Sequence, residues 1–211
     1  MEKVDQEQIS TLLSKISNQD DQKAFETLFK LYFEKLLNFS KNYISQKELA
    51  EEIVSDVFVK LWKNRKSLLE IKSIHTYLYI ATKNQSLNAI DKYQKRPVFS
   101  IDKSFYNKFH FSSDPGSALE YKELQSLLNT AVEKLPFQSK MVFKLVKEDG
   151  LKYKEVASIL DISPRTVETH LVRAVKKLEV SLEDYLAKKK KLKKHGQIIS
   201  IIFFLFFLLP L

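Results

Sequence analysis

Leu151-Lys152-Tyr153-Lys154-Glu155-Val156-Ala157-Ser158-Ile159-Leu160-Asp161-Ile162-Ser163-Pro164-Arg165-Thr166-Val167-Glu168-Thr169-His170-Leu171-Val172-Arg173-Ala174-Val175-Lys176-Lys177-Leu178 reads as two helices joined by a tight turn. The first helix is expected over Tyr153 to Leu160, with the turn over Asp161 to Ser163. Pro164 opens the second helix at its first position, where a missing N–H costs nothing, and Ser163 is its N-cap. Ala157 is small where the two helices cross. Asp161 occupies a turn position that commonly requires a left-handed backbone, which Asp tolerates better than most residues other than Gly. Ile162, Val167 and Leu171 are expected to face the core. Arg165, Thr166, Glu168, Thr169, Val172 and Arg173 are left on the outer face, where they can reach base edges and phosphates. Cap, turn and core positions therefore agree on a helix-turn-helix, and the expected fold of its domain is winged-helix-like.

Outward from this motif the chain remains helical. Its 211 residues, 44% of them hydrophobic and 12% aromatic, suffice for two small cores, and only three glycines and five prolines interrupt it. No alternating apolar pattern suggests a strand, so the expected class is all-α: two small helical domains joined by a linker. Phe25, Leu28, Phe29, Tyr32, Leu36, Phe39 and Tyr43 recur at helical steps and predict one aromatic-rich buried stripe. Ser45 and Glu48 are spaced as a capping box for the next helix, whose apolar face is Ile53, Val54, Val57, Phe58, Leu61 and Trp62. A third helix is expected from about Ser73 to Tyr93. Periodicity lapses from Gln94 to Ser117, where Ser-Ser-Asp-Pro-Gly at 112 to 116 is turn chemistry. Helices resume near Ala118, break at Leu135-Pro136 and stop at Gly150, an expected C-terminal cap. The expected domains are therefore residues 8 to 95 and 118 to 186, with 96 to 117 as linker and 187 to 211 as a basic run plus an apolar tail.

Composition narrows the function. Cysteine is absent, which excludes disulfides and thiolate metal sites and fits a reducing compartment. No secretory signal is read in Met1 to Asp21, so a cytoplasmic location is expected. Of the net charge of +9, six units come from Lys188, Lys189, Lys190, Lys191, Lys193 and Lys194, and taking these from the total leaves +3. Charge alone is thus a weak argument for nucleic acid, and the motifs carry the reading. Histidines 75, 110, 170 and 195 lack metal-ligand spacing, and neither a phosphate-cradling glycine loop nor a nucleophile motif is present. Neither catalysis nor a cofactor is expected.

A family resemblance gives the helices their roles. Ala50-Glu51-Glu52-Ile53-Val54-Ser55-Asp56-Val57-Phe58-Val59-Lys60-Leu61-Trp62 resembles the helix by which sigma factors of the extracytoplasmic-function type, within the sigma-70 family, grip RNA polymerase. Ser55-Asp56 stands where that family usually carries an amide and an acid. Tyr77-Leu78-Tyr79-Ile80-Ala81-Thr82-Lys83-Asn84, continuing to Leu87, Asn88 and Ile90, is similar to the family's minus-ten reading helix. Leu135-Pro136, Phe143 and Gly150 to Ala157 resemble its fourth region, which reads the minus-thirty-five element. The three segments occur in the family's order.

The resemblance implies that Glu52, Ser55, Asp56 and Lys60 meet core RNA polymerase. It further implies that Lys83, Asn84, Asn88 and Lys92 bind the minus-ten element, the first three as polar readers and Lys92 neutralising phosphates together with Lys95 and Arg96. The loop expected from Lys63 to His75 is placed, by analogy with the family, to hold an extruded base. Ser163, Arg165, Thr166, Glu168, Thr169, Arg173 and Lys176 are assigned to the minus-thirty-five element. An anti-sigma factor is a further implied partner. Tyr77 and Tyr79 stay open between base stacking and core. The segment Ser163 to His170 also resembles the DNA-binding domain of two-component response regulators, but no receiver-like alternation of strands and helices precedes Ser117.

The tail from Ile198 through Leu211 is interrupted only by Ser200 and Pro210. At about 1.5 Å per residue it reaches roughly 21 Å, short of a hydrocarbon core near 30 Å, so a full crossing is not expected. Three readings stand: membrane contact with the lysines at the headgroups, burial against a partner, or removal by processing.

Overall fold

The computed structural model describes residues 6–94 and 118–190, with side chains over 7–92 and 125–183. Every regular element among the described residues is helical. The first unit contains α1 (Gln6–Gln19), α2 (Gln22–Ser40), α3 (Lys47–Lys63), a 3-10 helix (Arg65–Glu70) and α4 (Ile74–Gln94). The second contains α5 (Ala118–Glu133), α6 (Phe137–Phe143), a π-helical turn (Lys144–Glu148), α7 (Tyr153–Leu160) and α8 (Pro164–Lys190). The expected linker and the apolar tail lie outside the described residues.

In the first unit, Asp21 starts α2 by accepting from the N–H groups of Lys23 and Ala24 at 2.9 and 3.1 Å. α2 then packs on α1, α3 and α4, and α3 packs on α4. Leu28, Tyr32, Leu36, Val54, Phe58, Leu61, Leu78 and Tyr79 fill the space between them. Beside this core, Leu37, Ile44, Ala50 and Ile53 are covered by Ala89 and Ile90 of α4. Two polar contacts join α2 to α4 inside the bundle. The Ser40 and Ser86 hydroxyls are hydrogen-bonded at 3.1 Å, and the Tyr32 hydroxyl lies 2.6 Å from His75 Nδ1. Such pairs, the serines buried and Tyr32–His75 partly so, hold helix register, because sliding either helix would strand both partners.

Two local expectations fail. The Ser45–Glu48 capping box does not form: Gln46 is the N-cap of α3 and makes no side-chain cap bond. The Ile44 N–H still bonds the Ser40 carbonyl at 3.0 Å and its side chain is buried, so the turn closing α2 leaves Ser45 outside the next helix. The expected loop from Lys63 to His75 is also not all loop, since it contains the 3-10 helix Arg65–Glu70. This 3-10 helix packs on α1 and buries Leu68; six residues are too few to show a helical repeat in sequence. α4 begins at Ile74, where Ser73 Oγ accepts from the Thr76 N–H at 3.3 Å.

In the second unit α5 and α6 pack on α8. Gly150 ends the π-helical turn at φ +73°, in the left-handed region, and the Leu151 N–H returns to the Leu145 carbonyl at 3.0 Å. Glu133 at the end of α5 meets Lys144 at 2.7 Å and Lys140 at 3.2 Å. Partial burial works against the Glu133 charge, but the hydrogen bond and charge of Lys144, with those of Lys140, outweigh it and keep its carboxyl below the usual range.

α7 matches its expected bounds. Lys152 donates its N–H to Glu155 Oε2 at 3.0 Å, and Asp161 closes the helix at φ 57°, ψ 49°. Ser163 Oγ accepts from the Thr166 N–H at 3.0 Å, and Pro164 opens α8. Val167 and Leu171 are buried as expected, whereas Ile162 is only half-buried.

Candidate partner and nucleic-acid interfaces

Three helices present the candidate residues, and in each the opposite face is occupied by core. On α3, Ala50, Ile53, Val54, Val57, Phe58 and Leu61 are buried. The i, i+3, i+4 geometry therefore leaves Glu52, Ser55, Asp56 and Lys60 exposed along the other side. Next to them an open apolar groove of about 300 Å³ runs between α2 and α3, lined by Phe25, Phe29, Ser55, Phe58, Val59, Trp62 and Lys63.

The periodic reading placed Phe25, Phe29 and Trp62 in the buried stripe, yet all three are only half-buried. Phe25 lies 4.9 Å from Trp62 and Phe29 lies 4.8 Å from Phe58, ring centroid to centroid. Val59 is 49% exposed. An apolar groove bordered by charged side chains has the make-up of a docking site, with an anchor region at the centre and a polar rim. The sequence signal for it is the run of large apolar residues at positions 25, 28, 29, 32 and 33, of which 25, 29 and 33 stay only half-buried although α2 packs on three other helices.

On α4, Asn84, Asn88 and Lys92 are exposed at intervals of four, and Lys83 is half-buried beside them. Leu87 is exposed in the same stripe. The two tyrosines left open by the sequence separate sharply. Tyr79 is 1% exposed and meets Phe39 edge-on at 5.0 Å, whereas Tyr77 is 36% exposed. Tyr79 is core, and Tyr77 remains available at the surface. Lys95 and Arg96 lie outside the described residues.

On α8, Val167, Leu171, Ala174 and Leu178 are buried. Arg165, Glu168, Arg173 and Lys176 are exposed on the outer side, with Thr166 and Thr169 half-buried. The Arg165 side chain is 87% exposed and reaches Glu168 at 3.5 Å, a surface contact worth little in water. Thr169 Oγ1 donates to the Arg165 carbonyl at 2.9 Å, and the exposed Ser163 is engaged at the cap. Val172, 62% exposed, adds an apolar surface of the kind that can meet a thymine methyl. His170 Nδ1 is hydrogen-bonded to Ser139 Oγ at 3.2 Å, tying α8 to α6.

Known proteins share this order of elements. Residues 28–96 match the model of Sigma-70 region 2, and residues 125–178 match that of Sigma-70, region 4. The ECF RNA polymerase sigma-E factor of Escherichia coli (strain K12) is 27% identical over 161 residues, covering 73% of this chain and 84% of that protein. The RNA polymerase sigma-H factor of Pseudomonas aeruginosa is 22% identical over 188 residues, covering 86% of this chain and 97% of that protein. Among solved structures, the sigma factor RpoE in complex with the anti-sigma factor NepR, from Bartonella quintana, aligns with a TM-score of 0.55 at 19% identity. It covers 76% of this chain and 98% of its own. CnrH in complex with the cytosolic domain of CnrY aligns with a TM-score of 0.54 at 19% identity, covering 84% and 98%. The two family segments occur in order and together span more than half of the residues, and the chain belongs to the sigma-70 family, in its extracytoplasmic-function group.

Proposed function

We propose that this chain directs promoter-specific transcription initiation, docking core RNA polymerase through α3 and the adjoining groove while α4 and α8 read the minus-ten and minus-thirty-five elements. The observation that carries this reading is the exposed polar face on each of these three helices, in the order of the family's segments. Glu52, Ser55, Asp56 and Lys60 form the polymerase contact. Lys83, Asn84, Asn88 and Lys92 bind the minus-ten element, and the segment Lys63 to His75 receives an extruded base. Ser163, Arg165, Thr166, Glu168, Thr169, Arg173 and Lys176 bind the minus-thirty-five element. The family is one of non-enzymatic transcription initiation factors, which supports this reading. The purified protein, added to core polymerase on genomic fragments, is expected to yield run-off transcripts from start sites that core alone does not use. Specific transcripts that appear only when another sigma factor is supplied would instead support a response-regulator-type activator.

Two partners extend this reading. One relative of similar fold is seen with an anti-sigma factor, and we assign to this chain an anti-sigma factor that covers the α3 face. The other partner is an anionic membrane. Fourteen mostly large apolar residues, Ile198 to Leu211, drive association in water, and each of the six adjacent lysines adds roughly 1 kcal/mol of attraction near an anionic surface. The protein then works at the inner face of the membrane. Truncation before Lys188 is expected to abolish binding to anionic liposomes and leave transcription in vitro largely intact. Removing only Ile198 to Leu211 is expected to leave weak, salt-sensitive binding. A full-length protein that ignores such liposomes at low salt rules the membrane out.

A further inference from the structure

Trp62, the single tryptophan of the chain, forms one wall of the groove between α2 and α3, and besides Phe25 within the groove it is met by groups from outside it. The Arg65 guanidinium carbon lies 4.6 Å from the centroid of the Trp62 ring. Arg65 Nη1 donates to the Trp62 carbonyl at 3.0 Å, and Arg65 Nε donates to Asp20 Oδ1 at 2.5 Å. Lys66 Nζ approaches the same carboxylate oxygen at 2.9 Å and donates to the Ser17 carbonyl at 3.0 Å. Ser17 Oγ donates in turn to the Lys66 carbonyl at 3.1 Å.

Asp20 follows α1 in a left-handed conformation, φ 55°, which short polar side chains tolerate better than most. Lys66 first, and then Arg65, hold its carboxyl below the ordinary range through hydrogen bonds. An exposed ion pair by itself adds little. Here the planar guanidinium, its side chain 26% exposed, is fixed at three points: a carboxylate, a carbonyl and an aromatic face.

We propose that Asp20 and Arg65 are positioning residues for partner docking: Asp20 orients the Arg65 guanidinium against Trp62, and Arg65 keeps the indole in place as the groove wall. The proposal rests on the reading of this groove as part of the polymerase-docking face. It gives the turn between α1 and α2, which precedes the matched segment 28–96, a part in binding. Neither Asp20 nor Arg65 lines the groove.

The full-length protein carries its own probe, since all tryptophan emission comes from Trp62. Asp20→Asn, Arg65→Met, the double variant, Arg65→Lys and Trp62→Ala are compared by acrylamide quenching, where Trp62 is retained, and by affinity for core polymerase, with far-UV circular dichroism confirming helix content. Arg65→Met is expected to make Trp62 more quenchable and to lower affinity about three- to tenfold, the range of a partly desolvated cation–π contact. Asp20→Asn is expected to act in the same direction and to add nothing to Arg65→Met, and Arg65→Lys to recover part of the loss.

If Trp62→Ala leaves polymerase affinity unchanged, the docking reading of the groove fails, and the proposal falls with it. If Trp62→Ala weakens binding while Asp20→Asn and Arg65→Met keep wild-type quenching and affinity, positioning is overturned and docking stands. Multiplicative losses in the double variant also overturn it, because Asp20 would then act independently of Arg65. Should Arg65→Met lose helix content, Asp20→Asn decides alone through the same two measurements.

Discussion

Arg165→Ala and Arg173→Ala are each expected to weaken recognition of the upstream promoter element, with the pattern of loss revealing what each side chain contacts. A side chain reading a base edge costs about 1 to 3 kcal/mol on truncation, roughly 5- to 150-fold in affinity, and relaxes specificity at one position. A side chain on a phosphate weakens all sequences alike and makes the salt dependence shallower by about one. Both arginines project from the side of α8 opposite Val167, Leu171 and Ala174, so neither substitution disturbs the core. Arg165 gives up only its exposed contact with Glu168 to reach DNA. The measurement is promoter binding by the protein in complex with core polymerase, at several salt concentrations and on single-base variants of the upstream element. Unchanged affinity in both variants, with the helical spectrum intact, would show that α8 does not face DNA.

The largest loss of stability is expected from Tyr79→Ala. Its ring is enclosed in the first unit and packs edge-on against Phe39, so truncation removes a large buried aromatic and leaves a cavity, costing about 3 to 5 kcal/mol. That approaches the whole stability of a small domain, and the first unit is expected to melt far below its wild-type temperature or to fail to fold. Tyr77→Ala, two residues away on the surface, is expected to stay within about 0.5 kcal/mol of wild type in urea unfolding. If Tyr77 stacks on a displaced base, the same change slows promoter opening, at about 1 to 3 kcal/mol per base. A stable Tyr79→Ala protein would remove Tyr79 from the core. A Tyr77→Ala protein with wild-type opening kinetics would remove Tyr77 from the DNA path.

The features legible in the sequence are those whose hydrogen bonds close within a few residues. Tyr153 to Leu160, the left-handed Asp161, the Ser163 cap and Pro164 as the first residue of α8 all depend on backbone groups no more than five positions apart, so residue type and spacing specify them. The exposed faces of α3 and α8 follow in the same way, because a helix with one apolar stripe has only one side left for polar residues. Ser45 marks where this logic fails: its spacing to Glu48 suits a cap, but the burial of Ile44 places the start of α3 beyond it.

Burial itself was decided by tertiary structure. Tyr77 and Tyr79 are the same residue type with nearly the same neighbours in sequence, and the packing of α2 and α3 on α4 makes one a core residue and the other a surface residue. Phe25, Phe29 and Trp62 fit a buried stripe by periodicity, yet α2 and α3 leave an open groove between them there. Asp20 meets Arg65 across 45 positions, and Tyr32 meets His75 across 43. Periodicity states which side of a helix is apolar; whether that side is fully covered, and by what, depends on the crossing of helices distant in sequence, and only the packed bundle settles it.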